Sequence, residues 1–291
     1  MTGQIIKGVG GLYAVKDGAK VYQCRARGIF RKTNEKPLVG DFVDYEVTSE
    51  EDSEGSITAI HERKNRLIRP EAANVDLILV VFSVKDPDPN YDMLNRYLCM
   101  MKDAEIPVLL TVSKEDLAND LEKQKIRDIF VNTDIPLIFI SSATGAGTEE
   151  LKAYIRGKTV IMAGPSGVGK SSLLNLLTGQ EIMATGELSR KIRRGKNTTR
   201  HTEIFALDDD TLILDSPGFT SVDISFIEPE NLVLYFAEFM PYIGTCSFSS
   251  CRHLKEPGCR IKQAVAEGDI SEIRYHSYCT FYQELSNQRR Y

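Results

Sequence analysis

The chain has 291 residues, of which 42% are hydrophobic and 26% charged, with a formal net charge of -5. That length accommodates two or three domains with separate cores, and the balance is that of a globular protein rather than a disordered or fibrous one. A net negative chain is unsuited to coating DNA, six cysteines in this length do not make a disulfide scaffold, and the longest apolar run, residues 77–82, is too short to cross a bilayer. Residues 1–10 lack the charged and then apolar pattern of a secretory leader, so a cytoplasmic monomer without membrane or DNA partners is expected.

Residues 4–66 read as short strands, at 12–15, 21–27, 42–47 and 56–61, in which apolar and polar residues alternate. Glycines and the acidic loop 50–55 separate them. Strands this short and this numerous suit a small Greek-key barrel of the OB type, a fold whose open face often binds nucleic acid. Arg25, Arg27, Arg31, Lys32 and Lys36 could line such a face, or they could be ordinary solvated charges. Cys24 reads as a small core residue.

From residue 74 the pattern changes to apolar strands at 75–84, 107–113, 136–140, 159–163, 203–207 and 211–214, with helical stretches at 93–103, 121–132 and 149–156 between them. Continuous apolar strands flanked by helices predict a parallel sheet covered on both faces. At 164–172 lies GPSGVGKSS, between an apolar strand and the helical run Leu-Leu-Asn-Leu-Leu. This is the setting a phosphate-binding loop requires. Gly164, Gly167 and Gly169 can adopt backbone angles closed to other residues, so the N–H groups of the loop, Ser166 and Val168 included, are expected to turn toward phosphate oxygens, with Pro165 part of the loop but without an N–H to donate. Lys170 would reach the terminal phosphates, the Ser171 hydroxyl would bind Mg²⁺, and Ser172 continues the motif into the helix.

Three further segments fit around that loop. Ser113, Lys114 and Asp116 follow the strand at 107–112, and a carboxylate there can accept two hydrogen bonds from the guanine N1–H and N2–H₂, a pair adenine does not offer. Ser142 and Ala143 follow the strand at 136–140, where a backbone N–H could meet the base oxygen. Asp215 and Gly218 form D-S-P-G after the strand at 211–214, where Asp215 can hold the Mg²⁺ shell and the Gly218 N–H can sense the γ-phosphate. Between loop and aspartate lie Asn197, Thr199 and His201, of which Thr199 could ligate Mg²⁺ once a third phosphate is present. These are the guanine-nucleotide elements of the Ras-like superfamily, but with the base-reading motif ahead of the phosphate loop.

Further on, Cys246, Cys251, His253 and Cys259 offer three thiolates and one imidazole, the donor set of a closed structural zinc site. Ile270, Ile273, Tyr278, Phe281, Tyr282 and Leu285 recur at spacings that predict one packed face of a helix. The expected domains are a barrel at 1–68, the nucleotide-binding α/β unit at 69–222 and a zinc-binding helical unit at 223–291.

The permuted motif order, the spacing C-x4-C-x-H-x5-C and the preceding barrel together resemble the RsgA (YjeQ/YloQ) family of small-subunit-dependent GTPases. GPSGVGKSS, GKNTTRHTE, DSPGF and CSFSSCRHLKEPGC carry the resemblance, which spans the whole chain. It implies an OB-fold domain, a circularly permuted GTPase domain and a zinc-binding C-terminal domain. It further implies GTP hydrolysis stimulated by the ribosomal particle, with the small ribosomal subunit and its rRNA as partners. Two positions depart from the family pattern: Ser113 stands where Asn or Thr is common, and Asn197 where histidine often precedes the paired threonines. Phe219, where Ras-like enzymes place a water-orienting glutamine, predicts slow intrinsic hydrolysis, with water positioned by Asn197, by His201 or by a group the ribosome provides. Lys170, Mg²⁺ and the loop N–H groups would supply the electrostatic stabilisation. The basic run at 190–196, just before Thr199, suits rRNA phosphates. A P-loop ATPase or kinase, and a non-hydrolysing nucleotide-sensitive RNA-binding factor, are the competing readings.

Overall fold

The computed structural model describes residues 1–27, 30, 36–68, 71–179, 203–208, 210–215 and 222–288. At the N-terminus, β1 (Thr2–Val9), β2 (Leu12–Asp17), β3 (Lys20–Ala26), β4 (Phe42–Ser49) and β5 (Glu54–Ile60) run in the order β1-β2-β3-β5-β4. An additional β1–β4 pairing, with Gly3 opposite Val43, closes them into a five-stranded barrel. Alternation accounts for the closure: Ile5, Val15, Tyr22, Cys24, Val43, Tyr45 and Ile57 all turn inward and are buried. Burial pushes the Cys24 thiol up to about 11, as suits a core residue. The strand β1 was not among the sequence expectations. Its inward residues are interrupted by glycine and by lysine, and a bulge between Ile5 and Lys7 breaks its alternation.

A short hairpin, β6 (Arg66–Ile68) and β7 (Glu71–Ala73), follows the barrel. It is held to the barrel by the Ala73 N–H on the Val39 carbonyl at 2.9 Å, and by the buried Asp41 carboxylate, which pairs with Arg63 at 2.7 Å.

Beyond it come β8 (Leu77–Ser83), α1 (Tyr91–Asp103), β9 (Val108–Ser113), α2 (Asp120–Ile129), β10 (Leu137–Phe139), α3 (Thr148–Ile155), β11 (Thr159–Ala163), α4 (Lys170–Thr178), β12 (Glu203–Ala206) and β13 (Leu212–Asp215). The sheet order is β10-β9-β8-β11-β13-β12, parallel throughout except for β12 against β13. Residues of β8 alternate between two cores. Ile78, Val80 and Phe82 face the layer of α1 and α2, while Leu77, Leu79 and Val81 face α3 and α4. Helices therefore cover both faces, as the unbroken apolar run of β8 requires. A single pairing, Lys7 of β1 opposite Glu203 of β12, joins the barrel to this sheet.

The last segment contains two 3-10 turns (Pro229–Tyr235 and Ala237–Tyr242), α5 (Arg260–Glu267) and α6 (Glu272–Gln288). Tyr278, Phe281, Tyr282 and Leu285 form the expected buried face of α6. Ile273 does not join them: it is 37% exposed, and Arg274 is buried in its place. Ile270 is buried ahead of the helix.

Candidate nucleotide and metal sites

All the parallel strands end on one edge of the sheet, where the segments at 113–116, 141–143 and 164–170 and the end of β13 at Asp215 sit. Ala163 of β11 lies in register beside Val80 of β8, and Ser113 of β9 beside Ser83 of β8. The glycine-rich loop leaves β11 at Gly164, whose φ of 154° is accompanied by close backbone approach. A Cβ placed there would stand 2.1 Å from the Val81 carbonyl oxygen, so only glycine fits. Gly169, with φ 93°, caps the start of α4. The Lys170 ammonium donates to the Gly164 and Pro165 carbonyls, each at 2.7 Å, which lays the side chain along the loop. Val168 is buried, Ser166 and Gly167 are exposed, and Ser171 and Ser172 occupy the first turn of α4 half-buried.

The segment expected to read the base is tied directly to this loop. The Ser113 hydroxyl is buried and donates to the Val168 carbonyl at 2.6 Å, with the Phe82 carbonyl at 3.2 Å as a second neighbour. The shorter side chain at this position therefore still reaches the phosphate loop. Lys114 adopts φ 58°, and its ammonium bonds the Asp86 carbonyl. Asp116 is exposed in the 3-10 turn Glu115–Leu117, and it accepts a 2.5 Å hydrogen bond from the hydroxyl of Ser141. Ser141 heads the Ser141-Ser142-Ala143 segment that the sequence singles out, but its bond to Asp116 was not foreseen there. It is fully buried, and its oxygen also accepts from the Ala143 and Thr144 N–H groups at 3.2 Å. No spacing rule could have signalled it, because the bond spans two strands.

Asp215 closes β13 beside Met162, at the same edge as the loop. Its side chain lies outside the described atoms. Asn197, Thr199, His201, Gly218 and Phe219, together with the basic run at 190–196, lie outside the described residues.

The second site lies in the last segment. One donor atom from each of Cys246, Cys251, His253 and Cys259 falls within 4.8 Å of all the others. His253 Nδ1 is 3.6 Å from the Cys246 sulfur and 3.5 Å from that of Cys259. A tetrahedron built on ordinary Zn–S and Zn–N lengths has an S···N edge of about 3.5 Å, so the donor set fits such a cation. Burial pushes the Cys251 thiol up to about 12 and raises that of Cys259, so these thiols need a cation to become thiolates. The loop is braced from α6, with the Tyr275 hydroxyl on the His253 carbonyl at 2.8 Å and the Tyr278 hydroxyl on the Arg252 carbonyl at 3.0 Å. The Glu256 carboxylate accepts from the Arg252, Leu254 and Lys255 N–H groups at 2.9 to 3.0 Å.

A glycine-rich loop on the central strand, with the Ser113–Asp116 segment two strands away in space and earlier in sequence, is the arrangement of a circularly permuted GTPase. Residues 60–225 match the family model described as RsgA GTPase, and residues 2–57 match that of the RsgA N-terminal domain. A protein of Agathobacter rectalis named "Small ribosomal subunit biogenesis GTPase RsgA" is 44% identical, with all of both chains covered. One of the same name from Alkaliphilus metalliredigens is 43% identical, over 99% of each. Among solved structures, "YloQ, a circularly permuted GTPase" is 34% identical with a TM-score of 0.77, covering 100% of this chain and 96% of its own. YjeQ from Thermotoga maritima is 35% identical with a TM-score of 0.79, covering 98% of each. The chain belongs to the RsgA GTPase family.

Proposed function

We propose that this GTPase acts in the assembly of the small ribosomal subunit, as the names of its relatives state for them, and that it binds rRNA and hydrolyses GTP in response to the particle. The observation that supports this reading is the Ser113 to Val168 bond, which joins the end of β9 to the glycine-rich loop at the edge where the parallel strands end.

Asp116, held by Ser141, accepts from the guanine N1–H and N2–H₂, and Lys114, the Ser142 N–H and the Ala143 N–H, the last exchanging the Ser141 oxygen for the base oxygen, complete the base side. Loop residues Gly164, Pro165, Ser166, Gly167, Val168 and Gly169 surround the phosphates. Lys170 exchanges its two carbonyl acceptors for phosphate oxygens, which are charged and hence stronger. Ser171, Asp215 and Thr199 would hold Mg²⁺, which supplies charge neutralisation at the β- and γ-phosphates. Gly218 senses the γ-phosphate, and Asn197 or His201 orients the attacking water. Cys246, Cys251, His253 and Cys259 would hold one structural zinc ion that leaves no open coordination position. The domains are 1–68, 69–222 and 223–291. Beside the barrel, Arg27 pairs with Glu46, and Lys36 with Glu71 at 2.7 Å; rRNA phosphates would compete with these exposed carboxylates, and the run at 190–196 would add contacts.

The test is phosphate release from GTP with and without small subunits, alongside titration of GDP against competing ATP. Stimulation by subunits, no competition from ATP, and at least a tenfold loss of GDP affinity in Asp116→Ala are expected. Equal competition by ATP, or full affinity in that variant, would overturn the guanine assignment. Release that is absent under all conditions would leave a binding factor rather than an enzyme.

A further inference from the structure

Where the last segment docks on α1, five polar side chains meet among apolar neighbours. The Arg274 guanidinium is 2% exposed and donates to Glu238 through Nε at 2.7 Å and through its second terminal nitrogen at 3.1 Å. Its remaining terminal nitrogen donates to the Asn95 oxygen at 2.8 Å. Asn95, 0% exposed, passes a hydrogen bond from its amide to Ser277 at 2.9 Å, and the Ser277 hydroxyl donates to Asp92 at 2.5 Å. Every bond in the chain runs the same way, from a cation toward a carboxylate. Apolar contacts between two helices tolerate small slides and rotations, whereas here any slide of α1 leaves a buried donor without an acceptor.

The near end of α1 leads to the nucleotide loops. Asn90 caps the helix by accepting from the Met93 N–H at 2.9 Å, one turn before Asn95. Residues 84–90 before it stand against the phosphate loop. Pro87, Asp88, Pro89 and Asn90 line one side of a cleft of about 200 Å³ whose other side is Pro165, Ser166 and Val168. The same stretch holds Lys114 through the Asp86 carbonyl, and its Pro87 carbonyl accepts from Ser83 at 2.6 Å. On the opposite side of the cluster, Glu238 belongs to the segment that leaves the D-S-P-G motif.

We propose that Asn95, Arg274 and Glu238 are positioning residues for the nucleotide site: they fix the register of α1, and so the stand of residues 84–90 against the phosphate loop and Lys114. This rests on the nucleotide reading above. The cluster adds little to stability beyond what apolar groups of its size would give, but it selects one arrangement of the two helices.

The experiment uses the full chain and a fluorescent GDP analogue. Asn95→Ala is expected to weaken GDP binding at least tenfold while zinc content stays at one per chain. At saturating GTP its turnover should change much less than its KM. Tyr235→Phe removes a bond from the same interface at the far end of α1, the 2.8 Å contact with Asp103, and should bind GDP within twofold of wild type. If Asn95→Ala fails to fold, the variant carrying Asn95→Leu, Arg274→Met and Glu238→Met takes its place, with a melting temperature near wild type and weakened GDP binding expected. In the wild type, GDP should slow amide exchange both at residues 84–95 and at residues 274–277. Wild-type affinity in the folded cluster variants, an equal loss in Tyr235→Phe, or exchange unchanged at 274–277 would each overturn the proposal. If the wild type itself fails to bind GDP, or Asp116→Ala binds it fully, the nucleotide reading fails instead.

Discussion

Ser113 shows how one side chain decides whether two loops act together. It has a single hydroxyl proton, and the nearer acceptor for it is the Val168 carbonyl of the phosphate loop. Replacing it by alanine leaves that carbonyl without its buried donor, a loss of about 1–3 kcal/mol. Ser113→Ala is therefore expected to weaken GDP binding about tenfold, with a smaller change in melting temperature, as read by GDP titration and thermal unfolding. Affinity unchanged by that substitution would show that the loop holds its shape without β9. The residue at this position was visible in the sequence as a departure from a family pattern. Its partner was not, because Ser113 and Val168 are far apart in the chain and meet only through the register of β9, β8 and β11.

Among the elements, the β12–β13 hairpin has the plainest local cause. Asp208 accepts from the Thr211 hydroxyl at 2.9 Å and from the Thr211 and Asp210 N–H groups at 2.6 and 3.0 Å, closing the turn. The Thr211 hydroxyl first, and then these N–H groups, hold the Asp208 carboxyl below the usual carboxylate range. A carboxylate whose folded pKa is depressed stabilises the fold above its unfolded pKa, near 4, and that contribution is lost as pH falls through the lower folded value. Asp208→Asn should therefore lower the urea midpoint at pH 7, with the gap from wild type narrowing toward pH 3. A gap that stayed constant between those pH values would refute the linkage. The parallel strands were legible from their apolar runs, and α2 as a helical stretch at 121–132, to which the structure adds the capping box of Asn119 and Glu122 that starts it. The hairpin β6–β7 was not, since three-residue strands carry no periodicity.

For the whole molecule, the loop carrying Cys246, Cys251, His253 and Cys259 forms one unit with α6. Tyr275 and Tyr278 of α6 bond the backbone of the cysteine loop, and α6 in turn docks on α1 through Arg274 and through Arg96 beside Phe281 and Glu284. If these four donors hold zinc as proposed, removing it leaves the thiols and the imidazole with no common partner, so the loop should open. A strong chelator is expected to release one zinc ion per chain, lower the melting temperature and raise amide exchange at residues 246–262 and 275–278. The strands β8, β9 and β11 should remain protected until the main transition. A chain that melts at the same temperature with and without chelator would show the centre to be dispensable to the fold.

Glycine spacing, apolar runs and the four metal-type donors are local properties, and each is governed by forces between residues near in sequence. That is why the sequence alone determined the strand–glycine loop–helix unit, the parallel sheet, the barrel and the clustering of the four Cys and His donors, and with them the GTPase class. What only the tertiary structure decided is which distant groups share a proton. Ser141 with Asp116, Ser113 with Val168, and Arg274 with Asn95 and Glu238 are set by strand register and helix docking, which no local pattern encodes.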